Sequence, residues 1–148
     1  MTTPQTDRAT TAVIILAAGS GTRMKSDTPK MLHSVCGRTM LGHALHAAAG
    51  ISPDAIVVVV GHQRELVSEA VTEIAADLGV PVSTAVQEEQ NGTGDAVRAG
   101  MSGLPEGFEG TVLVTTSDIP LLDAETLGEV VTRHDMRPRA AVTVLTST

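Results

Sequence analysis

Tryptophan and tyrosine are absent, and Phe108 is the one aromatic residue in a chain of 148. A surface that grips single-stranded nucleic acid by stacking bases on aromatic rings therefore cannot be assembled. Basic residues are scarce as well. Ten Lys and Arg against seventeen Asp and Glu give a formal charge of −7, the wrong sign for a polyanionic partner, so no nucleic-acid partner is expected. With Cys36 alone, no internal disulfide can form. A cytoplasmic setting is the expectation, and Cys36 reads as a buried, inert thiol. Long hydrophobic runs are also missing. The apolar stretch from Ala12 to Ala18 is seven residues long, far too short to span a membrane, and no membrane partner is expected.

What is present is the composition of an α/β protein. Apolar residues make up 42%, carried by Ala, Val, Leu and Ile, and the length suits one folding unit. Residues 1–10 are polar and aperiodic and read as a flexible leader, with the ordered domain running over 11–148. Continuous apolar runs at 12–16, 55–60, 82–86, 111–116 and 140–145 have the pattern of buried parallel strands. Between them, amphipathic stretches predict helices near 39–49, 63–78, 94–102 and 123–134, opening at caps such as Thr39, Thr93 and Asp123. Gly79 with Pro81 supplies a stop. Alternating strand and helix predicts a doubly wound, mostly parallel, Rossmann-like sheet, with ligands beyond the carboxyl ends of the strands.

Chemistry concentrates at those ends. Directly after the first strand pattern comes Leu16-Ala17-Ala18-Gly19-Ser20-Gly21-Thr22-Arg23-Met24. Gly19 and Gly21 let backbone N–H groups approach a phosphate, Arg23 can fork onto its oxygens, and Lys30, after Pro29, can add a point charge. Gly-x-Gly alone would fit an ordinary turn better; Arg23, Met24, Pro29 and Lys30 reverse that balance. A dinucleotide fingerprint is excluded because Met24 stands where it wants a third glycine, and a P-loop because Gly-Lys-Ser/Thr is absent.

A second segment, Gln87-Glu88-Glu89-Gln90-Asn91-Gly92-Thr93-Gly94-Asp95-Ala96, reads on its own as a loop and a helix cap. Its Gln amide carries both a donor and an acceptor. A third, Thr116-Ser117-Asp118-Ile119-Pro120, places a carboxylate at a strand end. That is a reasonable ligand for Mg²⁺, which takes only one or two carboxylates from protein, and equally a turn or helix cap. His43 and His46, three apart on a helix pattern, have no third ligand in register and read as surface or half-buried residues. His62 reads as a loop-packing residue and His134 as a helix-end residue near the negative dipole.

Together, Leu-Ala-Ala-Gly-x-Gly-Thr-Arg-Met followed by Pro-Lys resembles the signature of sugar-nucleotide pyrophosphorylases. The second segment and Asp118 extend the likeness to bifunctional bacterial N-acetylglucosamine-1-phosphate uridyltransferases of the GlmU family. The resemblance implies transfer of a uridylyl group from UTP to N-acetylglucosamine-1-phosphate, releasing pyrophosphate, in cell-wall precursor synthesis. It assigns nucleotide contacts to Leu16, Ala17, Ala18, Gly19, Gly21, Lys30, Gln87, Gly92, Thr93, Thr116, Ser117 and Asp118, with Gln87 reading the uracil edge. Arg23 and Lys30 become catalytic, and Asp118 the ligand of a Mg²⁺ cofactor.

Two positions depart from the family pattern: Asp95 stands where His is usual, and Ser117 where Gly is usual. Relatives continue well past residue 148, with the sugar pocket, a second metal ligand and a β-helix that holds a trimer. The expectation is therefore a truncated domain that binds nucleotide but turns over poorly, with an unpaired sheet edge that favours self-association. Guanylyl- or cytidylyltransferases share the first loop and remain alternatives, as does a non-catalytic nucleotide-binding module.

Overall fold

The computed structural model describes residues 10–19, 21, 24–137 and 140–146. The leader expected over 1–10 falls almost wholly outside them, as do Ser20, Thr22 and Arg23 of the first motif.

Four parallel strands form the main sheet: β1 (Thr11–Ala17), β4 (Ala55–Val60), β5 (Val82–Val86) and β6 (Thr111–Thr116), in the order β5-β4-β1-β6. The two central strands are apolar along their length because both faces are covered, and Ala55–Val60 is buried at every residue. The edge strands alternate more, as β6 does with Leu113 and Thr115 buried and Val114 exposed. Register is set by pairs such as Ile14↔Val57 and Ile14↔Val114.

The two-residue side-chain period divides these strands between two cores. Val13, Ile15, Ile56, Val58 and Val60 pack with Leu41, Leu45, Val67, Val71 and Leu127. Those partners come from α1 (Met40–Gly50), α2 (Arg64–Ala75) and α4 (Ala124–Asp135). Ile14, Val57 and Val59 face the other way, against Ala96 of α3 (Thr93–Ser102), the one helix on that side among the described residues. That helix sits close because Gly100 has no side chain: a Cβ there would lie 2.5 Å from Ile14 Cγ2 and 3.0 Å from Val59 Cγ2.

The caps at Thr39 and Asp123 form as expected. Thr39 Oγ1 accepts from the Gly42 N–H at 3.0 Å, and Asp123 Oδ1 from the Thr126 N–H at 2.8 Å. Replacing Thr39 with Ala orphans one helix-end donor and is expected to lower stability by about 1 kcal/mol, read from urea unfolding. Thr93, by contrast, is the first helical residue rather than the cap. The cap position belongs to Gly92, at φ 100°, with no side-chain bond.

Two other expectations are corrected. Residues 140–146 form no strand. Pairing needs a ladder of backbone bonds, and this segment is tied instead through Thr143, whose Oγ1 lies 3.0 Å from His134 Nδ1 on α4. Cys36 is exposed, not buried. It occupies the tip of an unforeseen hairpin, β2 (Ser34–Val35) against β3 (Arg38–Thr39), where Cys36 and Gly37 take φ 52° and 80°. Both central turn residues at positive φ is the two-residue geometry that matches strand twist. His43 and His46 are half-buried and exposed respectively, as expected. Each ring donates to a carbonyl, His43 Nε2 to Val35 at 2.8 Å and His46 Nδ1 to Gly42 at 2.7 Å.

Candidate functional site

The order β5-β4-β1-β6 means that the chain winds outward from β1 through β4 to β5, then returns to the far side of β1. Connections leave β1 in opposite senses, which opens a crevice at its carboxyl end. A cleft of about 400 Å³ lies there, and three separated segments line it.

The first segment follows β1. Leu16, Ala17, Ala18, Gly19 and Gly21 line the cleft. Gly21 adopts φ +57°, and a Cβ on it would stand 3.0 Å from Lys30 Cβ, so the loop folds tightly against the residue that brings the positive charge. Its carbonyl accepts from the Met24 N–H at 2.8 Å, closing the turn. Pro29 holds an extended backbone at φ −50°, ψ 137° and leads into a short 3-10 turn, Lys30–Leu32. Met31 is buried in that turn and anchors it, which leaves the Lys30 ammonium free to reach across the cleft.

It reaches the third segment. Lys30 Nζ lies 2.9 Å from Asp118 Oδ2, and Thr116 Oγ1 donates to Asp118 Oδ1 at 2.7 Å. Asp118 thus sits where β6 ends, held in line by the Ser117 N–H, which bonds to Leu16 O at 3.0 Å and extends the β1–β6 pairing one step. The Lys30 ammonium, then the Thr116 hydroxyl, hold the Asp118 carboxyl below its ordinary value of 3.8. A carboxyl lowered on folding contributes stability above pH 3.8 that is lost as pH falls through its lowered value. Both partners are about 40% exposed, so this pair adds little to stability and is open to exchange with a ligand.

The second segment closes the opposite wall. Gln87 is buried at 6% exposure, and its Nε2 donates to Gly92 O at 3.2 Å and to Asp95 Oδ2 at 3.0 Å. Gly92 and Thr93 line the cleft at the start of α3, whose first free N–H groups carry partial positive charge. Asp95, a departure from the family pattern, therefore has a definite partner. The expectation that Gln87 offers donor and acceptor alike is corrected: both of its N–H groups are engaged by protein.

Every expected site residue that the structure describes lines this one cleft, whereas Arg23 lies outside the described residues. Sequence reasoning missed three lining residues, Met31, Gln90 and Ala96. Gln90 matters most of these, because its Nε2 donates to Ala18 O at 2.8 Å and ties the second segment to the first. The signal was present in Gln87-Glu88-Glu89-Gln90, but nothing local distinguishes that Gln from a solvated loop residue.

No group of three or more His, Cys, Asp or Glu side chains is poised to hold a metal among the described residues. Among the described residues, Asp118 is the one carboxylate lining the cleft. That donor set fits Mg²⁺ completed by phosphate oxygens and water, and does not fit a metal caged by protein. Nor, among the described residues, is any helix long and apolar enough to cross a membrane.

A family model for the MobA-like NTP transferase domain matches residues 13–148. A Rhodococcus opacus (strain B4) protein named "Bifunctional protein GlmU" is 59% identical over 139 residues, which are 93% of this chain and 28% of that protein. Its namesake from Corynebacterium jeikeium (strain K411) is 61% identical over 134 residues, 90% of this chain and 27% of that protein. The chain thus spans little more than a quarter of the length of either. Among solved structures, a nucleotidyl transferase from Methanothermobacter thermautotroptrophicus matches with a TM-score of 0.67 at 22% identity, over 84% of this chain and 57% of that one. At that identity the likeness is one of fold.

Proposed function

The chain belongs to the family of MobA-like NTP transferase domains, and from that premise we propose that it is the nucleotide-binding part of a uridyltransferase. The reaction would join UTP and N-acetylglucosamine-1-phosphate into UDP-N-acetylglucosamine, with pyrophosphate leaving. One observation carries this reading: a single cleft gathers a glycine loop, an unburied lysine, a buried glutamine bonded to the start of a helix and a strand-end aspartate. Identity of about 60% to proteins named GlmU supports the choice of nucleotide and sugar.

In this reading the sugar phosphate attacks the innermost phosphorus of UTP, and the protein contributes position and charge rather than a covalent intermediate. Backbone N–H groups at Gly19 and Gly21 cradle phosphate oxygens. Lys30 turns from Asp118 to the triphosphate and offsets charge that builds on the leaving pyrophosphate. Gln87, Gly92 and Thr93 hold the base, and Arg23 contributes a second cation to the phosphates. Asp118, freed of Lys30, would hold Mg²⁺, which when bound neutralises the phosphates that meet at the reacting centre. A cytoplasmic enzyme suits the lone Cys36.

The test is calorimetric titration of the chain with UTP, GTP and CTP, each with magnesium and with EDTA. Magnesium-dependent preference for UTP is expected. Preference for GTP or CTP would move the chain to a sister transferase, and no heat with any nucleotide would sink the reading. Added N-acetylglucosamine-1-phosphate should release pyrophosphate slowly or not at all; brisk release would show that this part carries the whole reaction.

A further inference from the structure

The buried amide of Gln87 has a fixed orientation, and the reason is chemical. Its two nearest polar partners are the Gly92 carbonyl and the Asp95 carboxylate, at 3.2 and 3.0 Å. Neither has a hydrogen to give, so the NH₂ must face them; the reverse orientation would set Oε1 against two oxygens. Both N–H groups are thereby used within the protein. Oε1 is left, and no buried side-chain oxygen of the described residues lacks a partner, so it is not sealed away unpaired. Gln87 lines the cleft, and Oε1 is the amide atom that its hydrogen bonds to Gly92 and Asp95 leave over for a ligand.

We propose that Asp95 is a positioning residue for base selection: by holding the Gln87 amide it leaves Oε1 to accept from a ring N–H of the base. This rests on the nucleotide reading above and adds its selectivity. Uracil meets the requirement with N3–H, and guanine with N1–H. Cytosine presents a lone pair at N3, which would confront Oε1 and be rejected. The Gly92 carbonyl alone satisfies one N–H, so the second oxygen acceptor, Asp95 on α3, is what fixes the amide on both N–H groups. Asp95 touches no part of the base in this arrangement; it acts through Gln87.

The experiment is titration of the wild-type chain, Asp95→Ala and Asp95→Asn with UTP, GTP and CTP at fixed magnesium. The wild type should bind UTP or GTP at least about tenfold tighter than CTP, the worth of one buried hydrogen bond made or lost. The UTP and GTP arms identify which ring N–H is read. In Asp95→Ala the preference over CTP should shrink to within about threefold, while the Asn variant, which keeps an oxygen acceptor, should retain it. A merely structural role would weaken all nucleotides together and leave the ratio unmoved. An unchanged ratio in Asp95→Ala, its loss in Asp95→Asn, or equal wild-type binding of CTP and UTP would overturn the proposal. Failure of the wild type to bind any nucleotide would instead overturn the reading on which it rests, and this proposal with it.

Discussion

Replacing Asp118 with Asn should weaken UTP binding in magnesium and strengthen it in EDTA. In the free protein Lys30 is held 2.9 Å from the Asp118 carboxylate, so it must be withdrawn before it can serve a phosphate. Asn keeps the size and the polar contact to Thr116 but removes the charge that holds the ammonium. Without metal, Lys30 is then free from the outset, and affinity for the triphosphate should rise by a few-fold, because only an exposed ion pair has been given up. With magnesium the balance turns: the metal loses its one protein carboxylate, and affinity should fall by about tenfold or more, the scale of a charge-assisted contact. Lys30→Ala separates the two contributions. It should lose about tenfold or more in both conditions, since no cation then reaches the phosphates from that side. The same direction of change for Asp118→Asn with and without magnesium would contradict the exchange of partners.

How much of this could be read beforehand depended on whether the governing interactions were local. The strands β1, β4, β5 and β6 are legible because burial on both faces, or one, is written directly as apolar runs and alternation. The helices follow from amphipathic spacing, and Thr39 and Asp123 mark their starts because a cap bonds only three residues on. The run at 140–145 has the same apolar pattern as the true strands, yet a strand also needs a neighbour with free backbone groups in register, and no local pattern reports that. Cys36 at φ 52° failed for a related reason: hairpin turns are signalled by Asn or Asp before Gly, and Cys-Gly is not among those signals.

The candidate site divides in the same way. Its glycines, Lys30 and Asp118 are visible as short motifs at strand ends, but their meeting is a product of topology, with the two charges 88 positions apart. Gln90 escaped because its value lies in one bond to Ala18 O, 72 positions away. Asp95 was visible as a departure from pattern, and only the geometry of the Gln87 amide gave that departure a consequence.

The densest test of the fold lies where α3 meets the sheet. Ile14 is wholly buried in the smaller core, and Gly100 exists to let the helix approach it. Ile14→Ala removes the Cγ2 and Cδ1 atoms that fill this contact and should cost about 2–5 kcal/mol in urea unfolding. Gly100→Ala carries two opposing effects. Ala is the better helix former by about 1 kcal/mol, but its Cβ would stand 2.5 Å from Ile14 Cγ2, and relieving that overlap costs about 1–3 kcal/mol. The steric cost should win in the wild type. In the Ile14→Ala background the nearest obstacle is gone, leaving Val59 Cγ2 at 3.0 Å, so the helix-forming gain should emerge and Gly100→Ala should become neutral or stabilising. The double variant would then be more stable than the sum of the single losses by about 0.5–3 kcal/mol, the range for residues in direct contact. Additive losses would mean that α3 shifts away from the sheet to admit the new methyl. Such a shift would carry Gly92, Thr93 and Asp95 with the helix start, so nucleotide affinity measured on Gly100→Ala distinguishes a strained but seated helix from a displaced one.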